Sequence, residues 1–197
     1  MRAVLVSQRV EIITSCKERR DCLDQRWCGF LHNCGLLPIP VMNQGQDIRA
    51  LFDLVTPAGI LLTGGNDLMA YGGNAPERDE TERRLIELGV KYDIPVVGVC
   101  RGMQMITEHF GGSLGKVTGH VARRHILSGD IVREVNSYHN LAVAELPEGF
   151  EVLARAEDGV VEAMRHRQCR IMAIMWHPER ETPYRAEDAA LFTQFYK

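Results

Sequence analysis

The chain has 197 residues, 45% of them hydrophobic and 25% charged, with a formal net charge of −3. That length suits one domain with a core of its own, and so small a charge excludes a broad electrostatic pull toward nucleic acid or a membrane surface. No apolar run approaches the roughly 20 residues of a membrane span, and no signal-peptide core follows Met1, so the expected location is cytoplasmic.

Strands are predicted over 2–7, 36–41, 59–63 and 95–99, with helices near 18–34, 46–54, 78–92 and 101–110. In the first helix Leu23, Trp27, Phe30, Leu31 and Cys34 follow the three–four spacing of a packed face. Such alternation predicts parallel βαβ units with helices on both faces of a sheet. After Gly112 the pattern changes to short strands around 131–135, 141–144, 151–156, 160–165 and 171–176, and a helix near 185–196 closes the chain. No repeat, low-complexity tract or linker divides the sequence. It reads as one α/β domain over 1–197, a doubly wound, mostly parallel sheet with an antiparallel extension.

The most informative segment is Pro95-Val-Val-Gly-Val-Cys100-Arg-Gly-Met-Gln104. An apolar run of this kind suits a parallel strand covered on both faces. A helical pattern follows at once, and its free N–H groups and positive dipole end favour a thiolate at Cys100. Gly98 and Gly102 allow a tight strand-to-helix turn, the thiol counterpart of a nucleophile elbow. A buried core cysteine between packing glycines is the plainer alternative.

A second apolar run, Ile171 to Trp176, ends in His177-Pro178-Glu179. In an extended segment His177 and Glu179 point to the same side, so the imidazole can face Cys100 with the carboxylate behind it. A cysteine nucleophile needs such a base, and the base needs an acceptor that fixes its tautomer. A third segment, Gly59 to Asp67, places the Gly64-Gly65 pair after a strand. There the N–H of Gly65, with that of Arg101, can hold an oxyanion; a plain turn capped by Asn66 and Asp67 is the alternative.

Together, Thr63-Gly64-Gly65-Asn66-Asp67, Gly98 to Gln104 and Trp176 to Glu179 resemble the class I glutamine amidotransferase superfamily. The nearer resemblance is to its stand-alone γ-glutamyl hydrolases, through Arg78-Asp79-x-x-Glu82 and Asn136-Ser137-Tyr138-His139. It implies the flavodoxin-like amidotransferase fold, a triad of Cys100, His177 and Glu179, and cleavage of a γ-glutamyl amide through a glutamyl-thioester without a cofactor. It further implies Ser137 and His139 as holders of the glutamyl α-amino and α-carboxylate groups. A hydrogen-bonded structural role for His139 stays open. Gln104 either lines the same pocket or packs its helix, and Asn66 and Arg9 are further candidates for substrate contact.

The leaving group is the harder question. Arg9, Lys17, Arg19, Arg20 and Arg26 lie in a segment expected to hang over the cleft, and Arg78, Arg123, Arg124 and His125 add positive charge in predicted loops. Arginines suit phosphates, so a nucleotide-linked leaving group is one reading. A solvated basic face balanced by Asp21, Asp24, Asp79, Glu80 and Glu82 is the other. The Ser7-Gln8-Arg9 start and the Arg20 to Trp27 segment resemble a group that hydrolyses γ-glutamyl-CDP-amidate, releasing cytidine diphosphoramidate for surface polysaccharide modification. That substrate is favoured over γ-glutamyl-GABA or folate polyglutamate. A glutaminase subunit serving a synthetase partner is less favoured, and a non-catalytic relative less still, because Cys100, His177 and Glu179 are all present. Cys16, Cys22, Cys28 and Cys34 recur every six residues but would fan around a helix, and neither they nor the histidines show zinc-ligand spacing, so no metal is expected.

Overall fold

The structure is a computed structural model that describes residues 1–43 and 47–197; residue 46, the predicted start of the second helix, lies outside them. In chain order its elements are β1 (Arg2–Val6), β2 (Arg9–Ile13), β3 (Glu18–Cys22), α1 (Arg26–Asn33), β4 (Leu36–Pro40), α2 (Ile48–Val55), β5 (Gly59–Leu62), α3 (Pro76–Tyr92), β6 (Val96–Val99), α4 (Arg101–His109), β7 (Ser113–Lys116), β8 (Val121–Ile126), β9 (Ser128–Gly129), β10 (Glu134–Tyr138), β11 (Leu141–Glu145), β12 (Phe150–Arg155), β13 (Val161–His166), β14 (Ile171–Ile174) and α5 (Ala186–Phe195).

An eight-stranded sheet runs in the order β4-β1-β5-β6-β14-β13-β12-β9. The first five strands pair in parallel and the last three antiparallel, the predicted doubly wound sheet with its extension. Strands β5, β6 and β14 read Gly-Ile-Leu-Leu, Val-Val-Gly-Val and Ile-Met-Ala-Ile and are buried at every residue, because helices cover both faces. Helices α1 and α5 pack together, with the Phe30 and Phe192 rings edge-to-face at 5.0 Å, while α3 packs with α2 and α4. Pro76 opens α3 at a position where its missing N–H costs nothing, and Asp93 in the left-handed region closes it. No helix among the described residues is long and apolar enough to cross a membrane.

Four expectations are corrected. The predicted helix over 18–34 is a helix only from Arg26; residues 18–22 form β3, paired antiparallel with β2. Asp24 ends the helical run, because its side-chain oxygen accepts the Arg26 N–H at 3.0 Å and its carbonyl accepts that of Trp27. Residues 123–125 lie in β8, a strand so exposed and charged that no apolar alternation marks it, and the predicted strand at 131–135 sits at 134–138 as its partner β10. Arg78 lies in no loop: it is wholly buried on α3. All six cysteines are free, scattered over hairpin, α1, β6–α4 turn and a late loop.

Candidate active site

Because β1, β5, β6 and β14 are parallel, their carboxyl ends meet at one edge of the sheet, the usual place for a ligand crevice. Ser7, Thr63 to Gly65, Cys100 and His177 follow these ends.

Cys100 occupies the turn between β6 and α4 with φ 52° and ψ −103°. A non-glycine residue there costs on the order of 1–3 kcal/mol, and the surroundings must hold it. They do so by hydrogen bonds from the Cys100 N–H to Ile174 O (2.8 Å) and from the Gln104 N–H to Cys100 O (3.1 Å). Both flanking glycines are required by close approach. A Cβ on Gly102 would sit 2.2 Å from the Leu62 carbonyl oxygen, and one on Gly98 would sit 2.7 Å from the Gly102 carbonyl. The strained dihedral thus falls on the cysteine itself, while the glycines supply space.

The His177 Nδ1 lies 2.7 Å from Glu179 Oε1, both side chains being buried. The geometry differs from the extended segment expected: His177 is extended, but Pro178–Arg180 form a single 3-10 turn, and that turn brings the carboxylate back to the ring. With Nδ1–H donated to Glu179, Nε2 is left for Cys100. Burial disfavours the imidazolium, but the Cys100 sulfur and Glu179 carboxylate outweigh it and raise His177 from 6.5 to about 9. Asn136 fixes the backbone here. Its side-chain oxygen accepts the His177 N–H and its amide donates to the His177 carbonyl, each at 2.8 Å. Gly64 completes the packing, since a Cβ there would lie 2.7 Å from His177 Cε1.

The Thr63–Gly65 loop is shaped from below by Arg78. Its guanidinium donates to the carbonyls of Thr63 (2.6 Å), Gly64 (3.1 Å) and Gly65, and to Glu82 at 3.0 Å. In a trans peptide the N–H points opposite to the carbonyl, so the Gly65 N–H is turned away from Arg78. The Arg101 side chain pairs with Asp79 and Glu82, and Ser7 Oγ donates to Glu82 at 2.7 Å. The Arg78-Asp79-x-x-Glu82 segment is therefore a buried framework under the loop, and Arg78 contributes no surface charge. The Arg101 N–H is among the free donors that open α4.

The remaining predicted residues divide. Arg9 lines a cleft together with Trp27, Gly64, Gly65, His177 and Arg180. Asn66 exchanges two hydrogen bonds with the Val10 backbone (2.8 and 2.9 Å), which fastens the β2–β3 hairpin beside that cleft. Gln104 donates to Leu141 O at 3.0 Å, the packing alternative of its two readings. Ser137 donates to His120 O at 2.7 Å, and His139 bonds Leu141 O and Glu162, so both buried side chains spend their hydrogen bonds inside the protein. The basic residues of the hairpin and of the start of α1 are largely paired: Arg9 with Glu11, Arg19 with Glu77, Arg20 with Glu18 and Arg26 with Asp24. Sequence reasoning passed over Asn136, although it opens the Asn-Ser-x-His element, and over Arg180 and Trp27 as cleft walls.

Comparison with known proteins agrees with this architecture. The family model "Glutamine amidotransferase class-I" matches residues 31–197. A γ-glutamyl-CDP-amidate hydrolase of Campylobacter jejuni is 34% identical over 89% of this chain and 89% of its own length. A glutamine-hydrolyzing GMP synthase subunit from Thermococcus kodakarensis is 31% identical over 72% of this chain and 74% of that protein. The crystal structure of a glutamine amidotransferase from Thermotoga maritima shares the fold, with a TM-score of 0.68 and 16% identity over 98% of this chain and 82% of that one.

Proposed function

The chain belongs to the class I glutamine amidotransferase family, and from that premise we propose that it is a cysteine hydrolase of γ-glutamyl amides, acting on γ-glutamyl-CDP-amidate. The observation that carries the chemistry is the strained Cys100 beside His177, itself bonded to buried Glu179. His177, oriented by Glu179, holds the proton as an imidazolium beside the Cys100 thiolate, and the thiolate attacks the γ-carbonyl. The Gly65 and Arg101 N–H groups stabilise the oxyanion while the His177 imidazolium protonates the departing nitrogen. A water deprotonated by His177 then opens the glutamyl-thioester and glutamate leaves.

The raised His177 value sets a pH dependence. The shift is upward, so the proton stays on the imidazole through neutral pH and is lost only as pH rises through about 9. Loss of that proton removes the general acid. The alkaline limb of kcat/KM is therefore expected near pH 9 in a pH–rate profile; a fall centred on the ordinary histidine value of 6.5 would contradict the Cys100–His177–Glu179 assignment.

The choice of leaving group is supported by the 34% identical relative and by the hairpin beside the cleft. Most hairpin arginines are paired with acids at hydrogen-bond distance, whereas Arg180 faces its acid, Glu179, at 3.6 Å and is the better phosphate candidate. It lines the cleft, stacks 4.5 Å from the Tyr138 ring, and its Nε has no hydrogen-bond partner among the described residues. The product, cytidine diphosphoramidate, would serve polysaccharide modification from the cytoplasm. Glutamate release from γ-glutamyl-CDP-amidate, γ-glutamyl-GABA, a folate polyglutamate and glutamine tests this. The nucleotide compound is expected to be cleaved with a kcat/KM at least about 100-fold above the others, a gap of about 2.7 kcal/mol. Activity confined to glutamine, and only with a cell extract present, would favour a glutaminase subunit like the GMP synthase relatives.

A further inference from the structure

A second cluster of chemistry-bearing side chains lies outside this site. His120 and Glu162 are buried, His125 is half-buried, and one ligand atom from each lies within 4.8 Å of the other two. Three atoms of the group, His120 Nδ1, His125 Nε2 and Glu162 Oε2, are shielded from solvent and have no hydrogen-bond partner among the described residues. Buried polar atoms are rarely left so, and three in one place point to a missing common partner. Glu162 has no arginine or lysine beside it among the described residues; its only ion-pairing neighbours are His120 and His139.

We propose that His120, His125 and Glu162 bind a divalent transition-metal ion of the zinc class, which ties β8 to β13. The donor set, two imidazoles and a carboxylate, is one that zinc accepts. His120 Nδ1 lies 3.4 Å from Glu162 Oε1, close to the separation of ~3.3 Å between two ligands on a tetrahedral zinc. The outer partners are also in place. His120 Nε2 lies 2.8 Å from Asp158 Oδ2, which puts the ring proton on Nε2 and frees the Nδ1 lone pair. His139 Nε2 holds the Glu162 carboxylate at 3.2 Å. A nearby backbone irregularity serves the cluster. Residues five apart on a regular strand face opposite sides, but Tyr138 pairs with Val121 and Ser137 with Arg123, so Ala122 is an extra residue at φ 53°. That bulge returns His120 and His125 to one side, with their rings 4.2 Å apart. It also explains why the histidine spacing showed no ligand pattern in the sequence.

The test is titration of the full chain, stripped of metal by a chelator and kept reduced with a phosphine, with Zn2+ by calorimetry and Co2+ by visible absorption. Wild type is expected to bind one equivalent of Zn2+, with Co2+ giving d–d bands and no sulfur charge-transfer band. Asp158→Asn, a change at a half-exposed side chain, is expected to weaken binding about 10–100-fold, and His125→Ala at least as much. Added Zn2+ should raise the melting temperature of wild type and not of His125→Ala. Absence of stoichiometric binding, a sulfur charge-transfer band placing the ion on cysteines, or isotherms unchanged in both variants would overturn the proposal.

Discussion

Cys100→Ala is expected to leave a folded protein whose glutamate release falls by at least about 10⁴-fold, because Cys100 is the thiol that His177 bonds and the thioester forms on it. The fold should survive. Only the thiol is removed, the demanding φ 52° is met by the same backbone bonds, and Gly98 and Gly102 still provide the space. A melting temperature within a few degrees of wild type, measured beside the activity, separates lost chemistry from lost structure. Near-normal turnover in the alanine variant would end the proposed mechanism.

The largest stability effect is expected at Arg78. Burial and the neighbouring Arg101 pull its pKa down to about 10, against the opposing pull of Glu82, so it remains a cation at neutral pH. Replacing it with methionine fills the space but leaves Glu82 short of a partner and three loop carbonyls without a donor. Breaking a buried pair in this way costs about 3–5 kcal/mol. At about 2–4 °C per kcal/mol for a chain of this size, the melting temperature should fall by about 6–20 °C. Arg78→Lys should recover only part of the loss, since an ammonium cannot reach successive carbonyls with a planar fork. The same variants should lower kcat more than they raise KM, as the disturbed loop carries the Gly65 N–H. Unchanged stability in Arg78→Met would show that the loop is held by other means.

What the sequence made legible follows from where burial writes a pattern. Strands β5, β6 and β14 are covered on both faces and appear as apolar runs, so their ends, and with them Gly65, Cys100 and His177, could be placed at one sheet edge. Gly98 and Gly102 were readable because a tight turn needs their size. The β2–β3 hairpin was not, because Glu-Arg-Arg-Asp-Cys is exposed and carries no periodicity, and Leu23 extended a helical stripe that Asp24 in fact ends. Glu179 was found for a reason only partly right, since a 3-10 turn and not an extended strand returns it to His177. Asn136 escaped notice because its work is done on backbone, and a side chain that clamps a main chain has no spacing rule. His120 and His125 were hidden by a bulge that no local composition announces.

The central claim, a covalent glutamyl intermediate on Cys100, is tested most directly by acid-quenching the enzyme during turnover of a γ-glutamyl substrate and mapping its peptides by mass spectrometry. A glutamyl adduct confined to the peptide bearing Cys100, absent from Cys100→Ala, is the expected result. Full turnover with no adduct at any quench time, or an adduct on another residue, would contradict it.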